Sequence, residues 1–207
     1  LYINDEDYLR AIMASYYGSI SMVDHHLGRV LEALNELELE EGTIIVFCSD
    51  HGNLMGEHGR MFKFNMYDGS VKIPLIIKVP GQKQGVDVKE VVEITDILPS
   101  LLEYCDIPVK EGIQGESMLE LMAGNHSNWK NSAFAELWDV MLVDGDYKLM
   151  TYSLIKEDRG DWKLFNLKKD PNEINDLSKE PCYKEKMKSM KFKINKITSQ
   201  NPPPPEY

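Results

Sequence analysis

The sequence predicts an α/β fold whose second part is a small antiparallel sheet closed by a helix. Three observations carry that reading: a long amphipathic stripe followed at once by an unbroken β-branched run, a second apolar strand with a helix behind it, and four short strands ahead of a lysine-rich helix. With 207 residues the chain is long enough to enclose a substantial core.

Apolar residues fall at Leu9, Met13, Tyr16, Ile20, Val23, Leu27, Val30, Leu34 and Leu37, in steps of four and three. Such spacing lines one face of a helix. Asn4 or Asp5 is placed to cap its start and Glu41-Gly42 to close it. Gly18 and Gly28 weaken it, and a strand follows directly, so it is expected to pack on a core rather than form a coiled coil. Thr43 to Cys48 is apolar without alternation, the pattern of a parallel strand buried on both faces. Val71 to Val79 is a second strand, and Pro74 makes it start late or lie near an edge. After a polar surface loop, Thr95-Asp96 opens a helix through Leu101 and Leu102, with Pro99 tolerated in its first turn.

The character changes after Gly124, where Asn125 to Asn131 is polar. Strands are expected at Ala133 to Trp138, Val140 to Val143, Tyr147 to Tyr152 and Trp162 to Asn166. Asp144-Gly145-Asp146 marks a hairpin between the second and third. In the helix beyond, Met187, Met190, Ile194 and Ile197 share a face that should cover the sheet, and the surrounding lysines should be solvated. Asn201 to Pro205 reads as a polyproline-like tail. Residues 1–125 and 126–207 are therefore expected to be an α/β portion and a small α+β subdomain.

The formal net charge of −11 argues against binding a nucleic-acid backbone. No apolar run approaches the roughly 18 to 20 residues that span a bilayer. Leu1 to Arg10 lacks the basic-then-apolar pattern of a signal peptide, and a chain opening on Leu1 reads as an excised piece, so no cellular address is legible. Cys48, Cys105 and Cys182 form no C-x-x-C pair and suggest neither a zinc site nor a disulfide framework.

The chemistry concentrates in Ser49-Asp50-His51-Gly52-Asn53, directly after the first strand. Ligands bind beyond the carboxyl ends of strands in open sheets, and carboxylate oxygen and imidazole nitrogen are both metal donors. Asp50 and His51 can turn toward one point, while Gly52 permits backbone that a side chain would obstruct. A turn or cap remains the alternative for so short a stretch. Gly56-Glu57-His58-Gly59 follows, and then Lys63 between Phe62 and Phe64, a candidate for a partly desolvated cation aimed at an anion. Trp138 and Glu136, at the start of the small domain, are placed to reach the pocket mouth, but Trp138 is expected in the core.

These stretches, in this order, resemble the sulfatase family of the alkaline-phosphatase-like superfamily. The resemblance runs through Tyr17-Gly-Ser-Ile-Ser-Met-Val-Asp24, Leu27-Gly28-Arg29-Val30, Phe47-Cys-Ser-Asp-His-Gly52, Gly56-Glu-His-Gly59, Lys63 and Met66 to Ser70. It continues in Ile73-Pro-Leu-Ile76, Thr95-Asp-Ile-Leu-Pro-Ser-Leu-Leu102, Gly115-Glu-Ser117, Tyr147-Lys-Leu149, Leu164-Phe-Asn-Leu-Lys-Lys-Asp-Pro171 and Asn175-Asp-Leu177. It implies the C-terminal portion of an α/β/α sandwich followed by an antiparallel sheet with a packing helix. It also implies a sulfuric ester hydrolase using calcium, or magnesium, and a formylglycine nucleophile. Asp50 and His51 match two of the family's metal ligands, and Lys63 its contact to the sulfate or leaving oxygen. His58 either lines the substrate pocket or makes a structural hydrogen bond, and His25, His26 and His126 match no family site.

The family's nucleophile pattern, Cys or Ser followed two residues on by Pro and then Arg, does not occur here. Its paired upstream aspartates, lysine and histidine are also missing. The resemblance therefore implies the C-terminal part of a sulfatase, expected to be inactive alone and partnered by the N-terminal part of the same enzyme. The expected substrate is a sulfated small molecule or sulfated glycan. Phosphodiester or phosphonate ester hydrolysis on the same scaffold, and a non-catalytic binding module, are the alternatives.

Overall fold

The computed structural model describes residues 6–82, 85–152 and 161–200. The proposed caps at Asn4 or Asp5 and the polyproline-like tail lie outside the described residues. The chain forms two compact units, one of Leu1–Lys63 with Tyr67–Gly85, the other of Phe64–Met66 with Val86–Tyr207.

The first unit opens with helix α1, Glu6–Glu36. It ends earlier than the Glu41-Gly42 signal suggested. Glu38 takes the left-handed conformation, φ 55°, and the Leu39 amide reaches back to the Leu34 carbonyl at 2.9 Å while Glu38 bonds to Asn35. That double closure stops the helix even without glycine, and Glu40–Gly42 becomes a separate 3-10 turn. No residue of α1 is buried, contrary to the expectation of a core helix, and Ile20, Val23, Val30 and Leu37 of the stripe lie exposed. Periodicity sets which residues share a face; it does not supply the surface that covers them.

Strand β1, Ile45–Cys48, pairs antiparallel with β4, Leu75–Lys78, in the register Ile45↔Lys78 to Cys48↔Leu75. This corrects the expected doubly buried parallel strand: the residues of β1 are half-buried, and Cys48 is exposed. The chain reverses between the two strands, so β4 runs back alongside β1. Pro74 sits just ahead of β4, which starts late, and Val71 instead ends a short helix α2, Asp68–Val71. Between β1 and α2 lies a tight hairpin of β2, Leu54–Met55, and β3, Met61–Phe62.

The second unit contains α3, Ile97–Tyr104, entered through a 3-10 turn, and α4, Leu119–Met122. Glu93 rather than Thr95 provides the cap, exchanging bonds with Asp96 in a capping box. The fully buried Asp96 carboxylate also accepts the Glu116 amide at 2.8 Å and Lys130 Nζ at 2.8 Å. A Cβ on Gly115, φ 91°, would stand 2.3 Å from the Thr95 carbonyl oxygen, so the Gly115-Glu116 turn fits against Asp96 only as glycine.

Four strands follow: β5, Ser132–Glu136; β6, Val140–Asp144; β7, Tyr147–Tyr152; and β8, Asp161–Asn166. They form one antiparallel sheet in sequence order. Gly145 supplies the positive φ, 59°, at the head of the β6–β7 turn. Leu142, Leu149 and Leu164 face one another across three strands and, with Val140, meet Met190 and Ile194 of helix α5, Lys184–Gln200. Met187 and Ile197 flank that contact, as the helical face predicts. On the sheet, Lys148 and Glu173 form a buried ion pair at 2.7 Å. Trimming one methylene from this core by Ile194→Val is expected to cost about 0.5–1.5 kcal/mol, read from the urea midpoint of unfolding.

Two lysines anchor α5 to the hairpin: Lys193 donates to Asp144 Oδ1 at 2.8 Å, and Lys186 Nζ lies 3.4 Å from Oδ2. Partial burial pushes the Asp144 carboxyl up, but the Lys193 hydrogen bond and the two lysine charges outweigh it and hold its pKa below the usual range. Its contribution is therefore complete above the unfolded carboxyl value of about 3.9 and is lost as pH falls through the lower folded value. Asp144→Asn should destabilise the fold at pH 7 by about 0.2–1 kcal/mol. The gap between wild-type and mutant urea midpoints should close in strong acid.

Candidate functional site

The candidate site lies in the first unit, where β1 ends and Ser49-Asp50-His51 turn out of the strand. The Gly52 amide donates to the Ser70 carbonyl at 2.7 Å. A Cβ on Gly52 would stand 2.2 Å from the Gly69 carbonyl oxygen, and a Cβ on Gly69 would meet the Leu54 side chain at 2.7 Å. The loop is thus seated on α2 by two glycines: a side chain at Gly52 would require moving backbone, and one at Gly69 would require moving the Leu54 side chain. Ser49 Oγ donates to the His51 carbonyl at 2.9 Å and tightens the turn. Sequence reasoning assigned no seat to Gly69; the legible signal was the Asp68-Gly69-Ser70 turn.

Asp50 is exposed, and its Oδ1 accepts the His51 amide at 2.9 Å. That bond is the largest cause holding the Asp50 carboxyl below its usual pKa range. His51 Nδ1 lies 3.0 Å from the Gly52 carbonyl oxygen. A carbonyl only accepts, so Nδ1 carries the hydrogen and the lone pair of the neutral ring is on Nε2. Nε2 lies 3.5 Å from Asp50 Oδ2 and 2.6 Å from Lys63 Nζ.

Lys63 comes twelve residues later and is returned to His51 by the β2–β3 hairpin. The hairpin closes on positive φ angles at Gly56 (114°), His58 (55°) and Gly59 (66°), with the Gly56 amide bonded to the Arg60 carbonyl at 2.9 Å. Lys63 is half-buried, whereas Phe62 and Phe64 are exposed. The backbone at both phenylalanines is left-handed, with φ 70° at Phe62 and 71° at Phe64. His58 stacks on the buried Tyr67, ring centroids 3.7 Å apart and 14° from parallel. Tyr67, which the sequence reading takes as structural rather than as a site residue, is what His58 rests on. Trp138, expected in the core, is instead half exposed in the β5–β6 connection, where its ring stacks on that of Phe64 at 5.6 Å. Tertiary packing at a strand end overrides the apolar character of the side chain.

The structure thus brings together Asp50, His51 and Lys63. Oxygen and nitrogen donors with an unshared pair on each suit a divalent cation. Among the described residues no group of three or more His, Cys, Asp or Glu side chains is arranged around a metal position. Among them also, no helix is long and apolar enough to cross a membrane.

Solved structures give the fold its class. A phosphonate monoester hydrolase from Silicibacter pomeroyi matches with a TM-score of 0.83 at 23% identity, over 96% of this chain and 43% of that one. A 2-O GAG sulfatase matches with a TM-score of 0.81 at 24% identity, over 95% and 45%. The fold is therefore that of the C-terminal portion of the alkaline-phosphatase-like α/β enzymes, with its small antiparallel subdomain. The family described as Sulfatase matches residues 2–107, and N-sulphoglucosamine sulphohydrolase, C-terminal, matches residues 56–200. An arylsulfatase from Clostridium perfringens is 35% identical over an aligned length of 188 residues, covering 86% of this chain. The chain belongs to the sulfatase family. It spans 38% of the length of that arylsulfatase.

Proposed function

We propose that the enzyme to which this chain contributes hydrolyses sulfate esters of a small molecule or a glycan. The observation that carries the reading is the convergence of Asp50, His51 and Lys63 at the end of β1, in a chain of the sulfatase family. Residues 1–125 would complete the large α/β domain and 126–207 form the small subdomain. The N-terminal part of the same enzyme would supply the formylglycine nucleophile and the remaining metal ligands.

In this reading Asp50 Oδ2 and His51 Nε2, 3.5 Å apart, would hold a divalent cation, calcium or magnesium. When bound, the metal supplies a Lewis acid that draws charge from the sulfate oxygens. The Gly52 carbonyl keeps the His51 ring in the tautomer that offers Nε2. Lys63 places an ammonium where the bridging oxygen gains negative charge as the S–O bond breaks, and it retains its own proton. His58, carried on Tyr67, forms part of the pocket wall that meets the substrate.

The test is turnover by the complete enzyme of matched nitrophenyl sulfate and nitrophenyl phenylphosphonate. Sulfate is expected to be the better substrate by kcat/KM. A preference for the phosphonate would move the assignment to the phosphonate hydrolases, and turnover of neither would favour a binding module. The 207-residue chain alone, holding two metal donors and no nucleophile motif, is expected to turn over neither ester.

A further inference from the structure

We propose that the outer face of α5 is a docking ridge for a sulfated glycan chain, so that the enzyme acts on sulfate esters carried by a polymer. The inference rests on the reading of the enzyme as a sulfate ester hydrolase, and it selects the glycan as the substrate class.

Charge is spread unevenly along this chain. The formal net charge is −11, yet residues 161–200 carry ten lysines against six acidic residues. Helix α5 alone holds six lysines and one acid, Glu185. Such asymmetry marks an element that meets an anionic partner. Three of the six lysines are used inside the fold: Lys186 and Lys193 reach Asp144, and Lys191 lies over the Trp162 ring at 4.5 Å. The other three, Lys184, Lys188 and Lys196, are exposed. With Phe192, which is 72% exposed, they recur at every fourth residue and line one ridge, on the side of the helix away from Met190 and Ile194. Four residues advance about 6 Å along a helix, so the ridge runs about 18 Å, the reach of a linear polymer rather than of a single anion.

Helix stability does not call for this pattern. Lys184 and Lys188, four residues apart, repel one another, and Lys184 stands in the first turn, at the positive end of the helix dipole. Charge complementarity and the aromatic ring together point to a sulfated glycan. Sulfates along a linear glycan meet the row of ammonium groups, and each contact releases counterions. Among the lysines, the Phe192 ring offers an apolar surface to the C–H face of a sugar. An anionic membrane is the poorer fit. A helix that lies on lipid inserts an apolar face, and that of α5 is already buried against the sheet.

The experiment measures binding of a labelled heparin octasaccharide to the complete enzyme by fluorescence anisotropy, between about 50 and 200 mM NaCl. The proteins are wild type, the triple variant Lys184→Gln/Lys188→Gln/Lys196→Gln, and Phe192→Ser. Lys188→Gln alone serves should the triple variant not fold. Turnover of nitrophenyl sulfate, which has one sulfate and no sugar chain, is followed in parallel. The triple variant is expected to bind at least about tenfold more weakly at the lowest salt. It should also lose about two from the slope of log Kd against log salt, at roughly 0.7 for each contact removed. Phe192→Ser should bind more weakly with the wild-type slope, since it removes contact area and no charge. Both should hydrolyse nitrophenyl sulfate as the wild type does. Octasaccharide binding unchanged in the triple variant, or polyglutamate of equal charge bound as tightly by the wild type, would overturn the glycan ridge, while turnover of nitrophenyl sulfate would keep the hydrolase reading. Binding to phosphatidylserine vesicles in place of the octasaccharide would overturn it in favour of a lipid surface. Ridge-dependent octasaccharide binding by an enzyme that leaves nitrophenyl sulfate intact would keep the ridge and remove the hydrolase reading.

Discussion

Asp50→Ala and His51→Ala are each expected to weaken calcium binding by the complete enzyme at least about 100-fold. Removing groups that merely orient a ligand already costs 10- to 100-fold, and these substitutions delete the donor atom itself. The two variants should fail for different reasons. Asp50→Ala removes the negative charge beside Nε2, and the exposed position of Asp50 makes general destabilisation small. His51→Ala removes the nitrogen donor and also frees Lys63 from its 2.6 Å contact. Calorimetric titration at constant ionic strength measures both. Wild-type affinity in the two variants would reject the assigned ligands.

Lys63→Ala in the complete enzyme is expected to slow ester cleavage by roughly 10²- to 10³-fold, the scale for losing one donor aimed at developing charge. The loss should shrink as the leaving alcohol becomes more acidic, since a better leaving group accumulates less charge in need of stabilisation. A lysine that served only packing would give a lower melting temperature and the same fractional loss for every ester. A leaving-group series on wild type and mutant, with melting curves in parallel, separates the two.

Much of the second unit was legible before any coordinates. The four strands fall within a few residues of β5 to β8 because alternation of apolar side chains is a local property, and the Asp144-Gly145-Asp146 turn leaves little choice of register. The Met190 and Ile194 face of α5 was equally plain, since a helix buries what its period aligns. Trp138 was misplaced because the strand ends at Glu136, and past that point alternation no longer says which way a side chain turns. The helix α1 was legible as a helix, yet its burial was not, because no pattern along one segment names the surface opposite.

At the site, the sequence by itself determined the adjacency of Asp50 and His51, their place after an apolar strand, and the glycine that follows them. Adjacent residues after a strand need no long-range information to lie near one another. Only the tertiary structure decided that Lys63, twelve residues away, returns to His51 Nε2 at 2.6 Å, that β4 runs antiparallel to β1, and that Gly69 leaves space for nothing but hydrogen on Gly52. Each of these depends on a chain reversal. The hairpin that returns Lys63 uses positive φ at His58 as well as at two glycines, a conformation that no residue type dictates on its own. Local composition therefore specifies which chemical groups are present, whereas contacts between distant segments set the distances at which those groups react.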